Sequence, residues 1–417
     1  YTDHTSYEVY YPGQGGSNDQ AVIAASQSQA EPNTTTHFGA AGDCGMATAT
    51  KVPGKQQFAF TLDHKAAYLL FLPRTSNTIL HNCYLTKVEV NSDNDITSTY
   101  TLDPTTGELT GTGTGKQIIV STGGSGTYAN GFPLTNTATS AATNGAYVVI
   151  KPGTHTLKIR YWVKDVATNV EGTITKTLAS ATYDQNKYYN ITANLDVKNY
   201  DGDHYYMWDA EKQFWEGYEW NQGGSQPFLN GQQSSNDYPK SSSDTNHRWY
   251  HEGNGPLSAT KSCAIAPNVN ELVWYAMKGD PHGDEDELWT TMGHLYKGGV
   301  WLKKKNYING FNDNSAPDGI DWRTNEKDNG WSIPASLPSA ADIDKYFFLP
   351  RLGAYNGGYF GGKLYYRIGE YGYYWSSSAL YSDRAYYLRI MDSSIAISQF
   401  YRYDGYRAQK FSDFGDN

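Results

Sequence analysis

The chain has 417 residues and a formal net charge of −10 at neutral pH. An acidic chain of this kind is not expected to bind nucleic acid, whose phosphates attract a concentrated basic face. No stretch of 18 apolar residues occurs, so a membrane-spanning segment is not expected either. The first thirty residues have no basic start and no apolar run, so we expect no signal peptide here, and a signal removed from a precursor is consistent with that.

The first half is predicted to consist of β-strands after an opening segment. Residues 1–34 are expected to be a flexible segment or an extended arm, because Gly, Ser, Gln and Asn are frequent there. From residue 35 onward, apolar or alternating runs are separated by turn signals such as Lys151-Pro152-Gly153. The runs are Phe58–Leu62, Ala66–Leu72, Leu85–Val90, Ile118–Ser121, Ala146–Ile150, Thr156–Val163 and Tyr188–Val197. Many short strands with almost no helical period predict a β-sandwich over residues 35–198.

Composition changes abruptly near Lys198–Tyr200. Before this point the sequence has 33 threonines and a single tryptophan, Trp162. After it come five threonines, ten tryptophans and 23 of the 36 tyrosines. Two segments that offer such different side chains to a core predict two domains, 35–198 and 199–417.

The second half mixes helical and strand patterns. Apolar residues at helical spacing over Val269–Gly279 predict a helix that ends on glycine. Ser339–Asp342 resembles a capping box and predicts a second helix that runs to about Phe347. The segments Ala385–Ile390 and Ile395–Tyr401 flank a polar turn and predict a hairpin. This half is therefore expected to be a compact α+β domain with long loops.

The three cysteines are too few for a disulfide framework. Cys44 and Cys83 could form one disulfide, which would leave Cys263 unpaired. Three buried thiols are the alternative, and the sequence leaves both open.

Three segments of the first half form a familiar series: Leu62–Phe71, Tyr100–Asp103 and Lys187–Leu195. In pattern and order they resemble the amino-terminal domain of Bacteroides-type fimbrillins, the subunits of proteolytically matured fimbriae. The resemblance covers about residues 35–198 and implies a transthyretin-like β-sandwich. It also implies a lipoprotein precursor, export to the outer membrane, proteolytic trimming, and assembly with other fimbrial subunits through donated strands.

Several segments of the second half also stand in a familiar order. They are Tyr346–Pro350, Gly353–Tyr355, Gly372–Ser377, Ala385–Leu388 and Arg402–Arg407. This order resembles the Fibrobacter major paralogous domain family, which is similar to C-type-lectin-like and formylglycine-generating-enzyme folds. The upstream segments Asn270–His282 and Gly298–Trp301 look like the surface-protein variants of that family. The resemblance implies a lectin-like domain over residues 199–417, although fold analogy alone does not give a function.

The two resemblances together imply a fimbrial tip or accessory subunit. A shaft subunit would usually need a second fimbrillin domain in place of the lectin-like one. The segment Gln409–Asn417 is polar and is expected to make a poor donor strand. This departure from the fimbrillin pattern favours a terminal position in a fibre.

No catalytic residue is predicted. Formylglycine-generating enzymes act through cysteine, and Cys263 is the only cysteine of the second half and lies outside the carboxy-terminal matching segments. The serine run Trp375–Ser378 lacks the flanking glycines of a nucleophile elbow. The sequence therefore favours a protein that is not an enzyme.

One acidic segment is the candidate metal site. Calcium prefers several carboxylate and carbonyl oxygens, and an imidazole would suit a transition metal. The segment lacks EF-hand spacing and the sugar-calcium motifs of true C-type lectins, so a solvated acidic loop is the alternative. The candidate metal ligands are Asp280, His282, Asp284, Glu285, Asp286 and Glu287.

Aromatic side chains supply the candidate ligand site. Tyrosine and tryptophan combine a flat apolar face with a polar edge, which suits stacking on sugar rings and on protein surfaces. Trp301, Trp331 and Trp375 are expected in the core, whereas rings flanked by glycine are candidates for an exposed rim. The candidate ligand-binding residues are Tyr355, Tyr359, Phe360, Tyr365, Tyr371, Tyr373 and Tyr403.

These patterns favour a non-enzymatic cell-surface adhesin, a mainly β fimbrial tip or accessory subunit that binds host glycan or protein. One alternative is a surface lipoprotein that captures glycan for a polysaccharide-uptake system. A second alternative is an enzyme of the formylglycine-generating type, for which a matching cysteine is missing. A fimbrial adhesin is expected to show a groove in its first half that a partner strand fills.

Overall fold

The computed structural model describes residues 4–229, 231, 233–250, 257–357 and 361–417. Strands dominate it from end to end, so the mainly β fold predicted from the sequence is confirmed. The chain divides into two compact units, Tyr1–Val197 and Lys198–Asn417. The change in composition occurs at the same position. Among the helices of the described residues, none is both long and apolar enough to cross a membrane.

The first unit is built from short strands and two one-turn helices within the described residues. In chain order these are β1 Ser6–Tyr11, β2 Gln20–Ile23, β3 Ser26–Gln29, α1 Phe38–Ala41, β4 Gly45–Lys51, β5 Phe58–Ala59, β6 Asp63–His64, β7 Ala67–Arg74, β8 Tyr84–Ser92, β9 Ser98–Leu102, β10 Leu109–Thr110, β11 Gln117–Thr122, β12 Phe132–Pro133, α2 Ala141–Asn144, β13 Ala146–Ile150, β14 Gly153–His155, β15 Leu157–Lys164, β16 Glu171–Thr177, β17 Ala181–Tyr183 and β18 Tyr188–Asn194.

Two sheets of this unit face each other across a core. The larger sheet has the order β16-β15-β8-β11-β3, and the smaller one has the order β13-β7-β18. Alternate residues of β15 are buried, as expected for a strand with one face toward a core. The rings of Phe71 on β7 and Tyr161 on β15 meet edge to face, with centroids 6.0 Å apart. Smaller sheets, β1-β4-β5 with β6, β10-β9-β2 and β14-β17, complete the unit.

Two glutamines of β3 join the larger sheet to the edge of β13. The side-chain amide of Gln27 donates to the Val149 carbonyl at 2.8 Å and accepts from the Val149 amide at 3.0 Å. Gln29 donates to the Gly145 carbonyl at 2.9 Å and accepts from the Tyr147 amide at 2.7 Å. Both glutamine side chains are buried. They therefore close the β13 edge in the way that a neighbouring strand would.

The opening segment of the chain belongs to these sheets. Strand β1 pairs with β4, β2 pairs with β9, and β3 pairs in parallel with β11. The prediction that residues 1–34 form a flexible segment or arm is therefore wrong for the described residues of that segment. Its polar residues are not a sign of disorder, because Gln27 and Gln29 satisfy backbone groups of the fold.

The second unit combines two larger sheets with one longer helix. Its elements are β19 Lys198–Asn199, β20 Tyr205–Tyr206, α3 Val269–Lys278, β21 His282–Thr291, β22 His294–Lys303, β23 Asn329–Ser332, β24 Tyr346–Pro350, β25 Ala354–Tyr355, β26 Leu364–Tyr366, β27 Gly372–Trp375, β28 Arg384–Ile390, β29 Ser394–Tyr401 and β30 Tyr406–Arg407. The sheets have the orders β19-β21-β22-β24 and β20-β30-β27-β28-β29-β23, and β25 pairs with β26.

The predicted helix over residues 269–279 is confirmed as α3. Its amino terminus carries a capping box, since Glu271 N donates to Asn268 Oδ1 at 3.1 Å and Asn268 N donates to Glu271 Oε2 at 2.8 Å. Its apolar face, which includes Leu272 and Val273, is buried in the main core of the unit. The predicted hairpin is confirmed as well, because β28 pairs antiparallel with β29.

The second predicted helix, from residue 339 to about 347, is wrong. Only Ile343–Lys345 forms a single 3-10 turn, and the chain then enters β24, which pairs with β22. Every residue of β24 is buried, so this edge strand of the sheet is covered on both faces. The Asp342 carboxylate accepts from Ser339 Oγ and from Lys345 Nζ, both at 2.7 Å, and so it stabilises a turn.

All three cysteines are free thiols, and all three are buried. The sequence left open either a Cys44–Cys83 disulfide or three buried thiols, and the structure has three buried thiols. Burial raises the pKa of the Cys44 and Cys83 thiols to about 12.

We expect the substitution Gln29→Leu to lower the free energy of unfolding of the first unit by about 1–3 kcal/mol, because it leaves the Tyr147 amide without a partner. The Gly145 carbonyl would keep its second hydrogen bond, from the Asn33 amide. Hydrogen exchange followed by mass spectrometry should show faster exchange of the Tyr147 amide. The substitution Gln56→Leu, at an exposed position, is the matched control. Unchanged exchange in the Gln29 variant would contradict the role given to this side chain.

Candidate functional site

The acidic segment predicted to bind a metal forms the start of β21. Asp284 is buried there, where the pairing of β21 with β22 is irregular between Asp284 and Leu288, and its carboxylate stabilises this part of the strand. Its Oδ1 accepts from the backbone amides of Asp286 and Glu287 at 2.9 and 3.0 Å. Its Oδ2 accepts from Trp301 Nε1 at 2.9 Å. The hydrogen bonds of this carboxylate are thus structural.

Of the other predicted ligands, His282 and Asp280 lie close together, with His282 Nε2 3.6 Å from Asp280 Oδ1, and the rest have separate partners or are exposed. Asp280 accepts from Lys303 Nζ at 2.9 Å and from the Tyr346 hydroxyl at 2.6 Å, whereas Glu285 pairs with Arg351. His282 Nδ1 lies 2.5 Å from the Ser336 carbonyl, Asp286 lies 3.8 Å from Lys297, and Glu287 is exposed. Across the described residues, no three His, Cys, Asp or Glu side chains are grouped so that they could hold a metal ion. The predicted calcium loop is therefore not assembled.

Two of the predicted ligand-binding tyrosines belong to the core. Tyr355 is fully buried, its ring lies 4.8 Å from that of Tyr205, and its hydroxyl accepts from Gln226 Nε2 at 2.6 Å. Tyr373 is 2% exposed and stacks on Tyr366 at 4.2 Å. An exposed rim position is therefore wrong for both. The glycines that suggested exposure instead allow close packing, since a Cβ on Gly405 would lie 3.1 Å from Cβ of Tyr355.

The remaining predicted tyrosines differ in exposure. Tyr365 is 50% exposed, and Tyr371 and Tyr403 are partly buried. Tyr403 stacks on Tyr401 with centroids 5.0 Å apart. Tyr359 and Phe360 lie outside the described residues. A ligand-binding role for the rings at these five positions stays a prediction.

The segment 402–407 contains a carboxylate that the sequence reading did not single out. Asp404 is fully buried, and its Oδ1 accepts from the Gly357 amide at 2.9 Å. The Tyr406 hydroxyl donates to Oδ2 at 3.3 Å. Burial raises the pKa of Asp404 from its ordinary 3.8 to about 7, and the two hydrogen bonds only partly oppose that rise.

A pocket of about 520 Å³ lies in the first unit, at the sheet β13-β7-β18. Its volume falls in the range of small-molecule sites, about 300–1,000 Å³. Phe71 of β7 faces the core between the two sheets. Because side chains alternate along a strand, Tyr68 of β7 lies on the opposite face of the sheet, where the pocket opens.

Aromatic rings from four elements line this pocket: Phe38 of α1, Tyr68 of β7, Tyr147 of β13 and Tyr188 of β18. Phe38 stacks on Tyr68 with centroids 4.9 Å apart and an angle of 11° between the ring planes. Phe38 also meets the edge of Tyr147 at 5.7 Å. Tyr188 is paired across the strands with Tyr68 and is 65% exposed. The pocket therefore has a stacked aromatic wall and one exposed ring.

The polar side of the pocket is centred on Asp43. Its Oδ1 lies 2.8 Å from His64 Nδ1 and accepts from the Tyr68 hydroxyl at 2.5 Å. Burial, and then the Asp43 carboxylate, raise the pKa of Tyr68, so that its hydroxyl stays protonated and donates. Among the described residues, Oδ2 of Asp43 accepts no hydrogen bond. Lys187 adds a cationic side chain to the same pocket.

Backbone geometry places Asp43 in this position. Helix α1 ends at Gly42, whose φ is 112°, in the left-handed region that favours glycine. A Cβ at this position would lie 2.5 Å from the Val22 carbonyl oxygen, so a larger residue does not fit. The Asp43 amide then donates to the Phe38 carbonyl at 2.8 Å, which ties the carboxylate to the helix.

No pattern in the sequence indicated this pocket. The segment containing His64 and Tyr68 was recognisable only as a strand pattern, and the predicted ligand-binding aromatics all belong to the second half. Asp43, His64 and Tyr147 come from three separate segments, the loop after α1, β6 and β13, so only tertiary structure brings them together. The sequence did contain one signal of a polar site. Tyr68 lies in a mostly aliphatic strand, and its hydroxyl needs a hydrogen-bond partner when it is buried.

No protein-family model matches the chain, and no curated protein matches it. Solved structures of three candidate cell adhesion proteins are similar to part of it. One from Bacteroides ovatus is 17% identical with a TM-score of 0.29, over 45% of this chain and 62% of that one. One from Bacteroides fragilis is 13% identical with a TM-score of 0.25, over 36% and 48%. One from Bacteroides uniformis is 15% identical with a TM-score of 0.24, over 46% and 68%.

The chain thus spans less than two thirds of the length of the first two of these structures. Similarity at this level concerns part of the fold and does not transfer a function.

We expect Asp404→Asn to stabilise the second unit at neutral pH. The folded protein holds the Asp404 proton up to a pH of about 7, whereas the unfolded chain releases it near 3.8. Wild-type stability is therefore lost as the pH rises between these values, and the asparagine variant avoids that loss. The melting temperatures of wild type and variant should coincide below pH 4, and that of the variant should be higher by about 5 °C or more at pH 8. A difference in melting temperature that is the same at every pH would contradict this account.

Proposed function

We propose that this protein is a non-enzymatic cell-surface adhesin that binds carbohydrate, and that the aromatic pocket of the first unit is its ligand site. One observation carries the proposal: a buried carboxylate, Asp43, keeps Oδ2 without a hydrogen bond within the described residues, beside the exposed ring of Tyr188. A sugar ring offers C–H groups that pack on an aromatic face and hydroxyls that donate to a carboxylate. The pocket presents both features at once.

The arrangement assigns a role to each side chain. The ring of Tyr188 would stack on the apolar face of the sugar, next to the fixed pair Phe38 and Tyr68. Asp43 would accept a sugar hydroxyl, and Lys187 would donate to another. The hydrogen bonds from His64 and Tyr68 hold the carboxylate in place before binding, which lowers the entropic cost of ordering it.

The chemistry of the thiols supports binding without catalysis. Cys44 follows Asp43 directly, but it is fully buried and its pKa is raised to about 12, so it is a poor nucleophile. Cys263, the only cysteine in the sequence of the second unit, is also fully buried, and burial raises its pKa. The proposed activity is accordingly recognition without a covalent step.

The same proposal places the protein in a fimbria and gives its second unit a lectin-like function. Strand β18 lies at the end of the order β13-β7-β18. Its side chains are mostly exposed or partly exposed in alternation. An edge strand of this kind can accept a strand from another subunit through backbone hydrogen bonds. Cell adhesion is also the role for which the Bacteroides structures are named.

A glycan array probed with the full chain tests the proposal, followed by titration calorimetry with the strongest glycan. We expect Tyr188→Ala to weaken binding about tenfold, because the stacking ring is lost. Tyr188 is 65% exposed, so the fold should be retained. Tyr307→Ala is the matched control, since that ring is 53% exposed in the second unit. Equal affinities of wild type and the Tyr188 variant would contradict the assignment of the pocket.

The substitution Asp43→Asn probes the carboxylate. Asparagine keeps an oxygen that accepts from the Tyr68 hydroxyl but loses the negative charge. We therefore expect this variant to bind glycan about tenfold or more weakly than wild type. Circular dichroism should show an unchanged fold. An array on which wild type binds no glycan would reject carbohydrate recognition and leave a protein ligand as the adhesion target.

A further inference from the structure

Arg389 lies in the second unit, on the face of β28 that carries Ala385 and Tyr387. Its neighbours Leu388 and Ile390 are fully buried in the main core of the unit. Tyr387, two residues before Arg389, belongs to a separate aromatic cluster on the other face. Tyr373 is paired with Arg389 across the strands β27 and β28. The guanidinium therefore reaches a layer of tyrosine rings away from the core.

This guanidinium has no partner among the described residues. The Nε of Arg389 is buried and forms no hydrogen bond, and no carboxylate pairs with the side chain. Three fully buried arginines of the unit have partners: Arg351 binds Glu285 and Asp392, Arg407 binds Asp201, and Arg402 donates to backbone carbonyls. Arg389 is partly exposed and has neither kind of partner within the described residues.

An unpaired cation in a partly buried position is unfavourable. The side chain of Arg389 is only partly exposed, and its Nε is removed from water. Desolvating a charged donor without giving it an acceptor costs free energy. An anion from outside the chain would provide the missing acceptor, and a planar carboxylate or a sulfate matches the fork of N–H donors on a guanidinium.

Tyrosine rings surround this cation. Burial raises the pKa of the Tyr366, Tyr373 and Tyr387 hydroxyls, and the nearby Arg389 opposes that rise at each of them. Tyr366 stacks on Tyr373 at 4.2 Å and meets Tyr365 edge to face at 4.7 Å. Tyr365 is 50% exposed. The cation therefore lies beside a series of rings that reaches the surface.

We propose that Arg389, together with Tyr365, Tyr366 and Tyr373, forms a second ligand site that binds an acidic sugar. Arg389 binds the carboxylate or sulfate group, and the exposed tyrosine edge packs on the sugar ring. The site is separate from the pocket proposed above, because the two are built from different units of the chain. It also gives a function to two of the tyrosines predicted from the sequence, Tyr365 and Tyr373, although Tyr373 supports the site from within the core.

The test uses the full chain and three trisaccharide probes measured by titration calorimetry: trigalacturonate, a sulfated galactose trimer and neutral galactotriose. We expect at least one anionic probe to bind about tenfold or more tightly than the neutral one. Arg389→Ala should remove that preference, and Arg389→Lys should retain part of it. Arg384→Ala is the control, because this exposed arginine lies on the same strand and packs on Tyr401. Circular dichroism confirms that each variant is folded.

The two anionic probes distinguish a carboxylate from a sulfate ligand. The site is rejected if wild type binds neither anionic probe, if it binds anionic and neutral probes equally, or if Arg389→Ala keeps the preference. Tyr188→Ala in the first unit should leave binding of the anionic probe unchanged. The Tyr188 and Arg389 variants therefore test the two proposed sites independently, so that one proposal can be rejected without the other.

Discussion

The structure depends on one constraint, which is that polar groups removed from water need partners inside the protein. The chain has a modest apolar content of 38% and many polar side chains, so its cores cannot be aliphatic alone. Gln27 and Gln29 meet the constraint by binding backbone groups of β13. Asp284 meets it by binding amides and an indole. Nε of Arg389 is one of several buried groups that do not meet it within the described residues, and the proposed site of the second unit is built on that group. The pocket of the first unit is built on Oδ2 of Asp43, which accepts no hydrogen bond from the described residues.

Much of the fold could be predicted from sequence because local patterns decide it. The run Ala146–Ile150 was predicted with the bounds that β13 has, and apolar residues at helical spacing over Val269–Gly279 predicted α3. The second predicted helix failed because sheet pairing with β22 outweighed a local capping signal. The opening segment was misread because polarity was taken for mobility, whereas its glutamines form buried hydrogen bonds.

The candidate sites could not be predicted to the same degree. The aromatic excess identified the kind of side chain involved, but exposure depends on tertiary packing. Tyr355 and Tyr365 both have glycines nearby in the sequence, yet one is fully buried and the other is half exposed. The Asp43 pocket joins residues from α1, β6, β7, β13 and β18, and no local pattern brings those elements together. Arg389 can be recognised as a candidate site only from the structure, which shows that no carboxylate or carbonyl of the described residues binds its guanidinium.

The topology of the first unit has a consequence for how the chain folds. Strand β3 pairs with β11, which comes about ninety residues later, and β18 pairs with β7 from more than a hundred residues before it. Contacts between such distant segments close slowly, because long loops must be ordered first. A growing chain cannot complete the smaller sheet until residue 194 is available, and until then one edge of β7 stays open. The unit therefore has to be protected from other strands until its own last strand arrives.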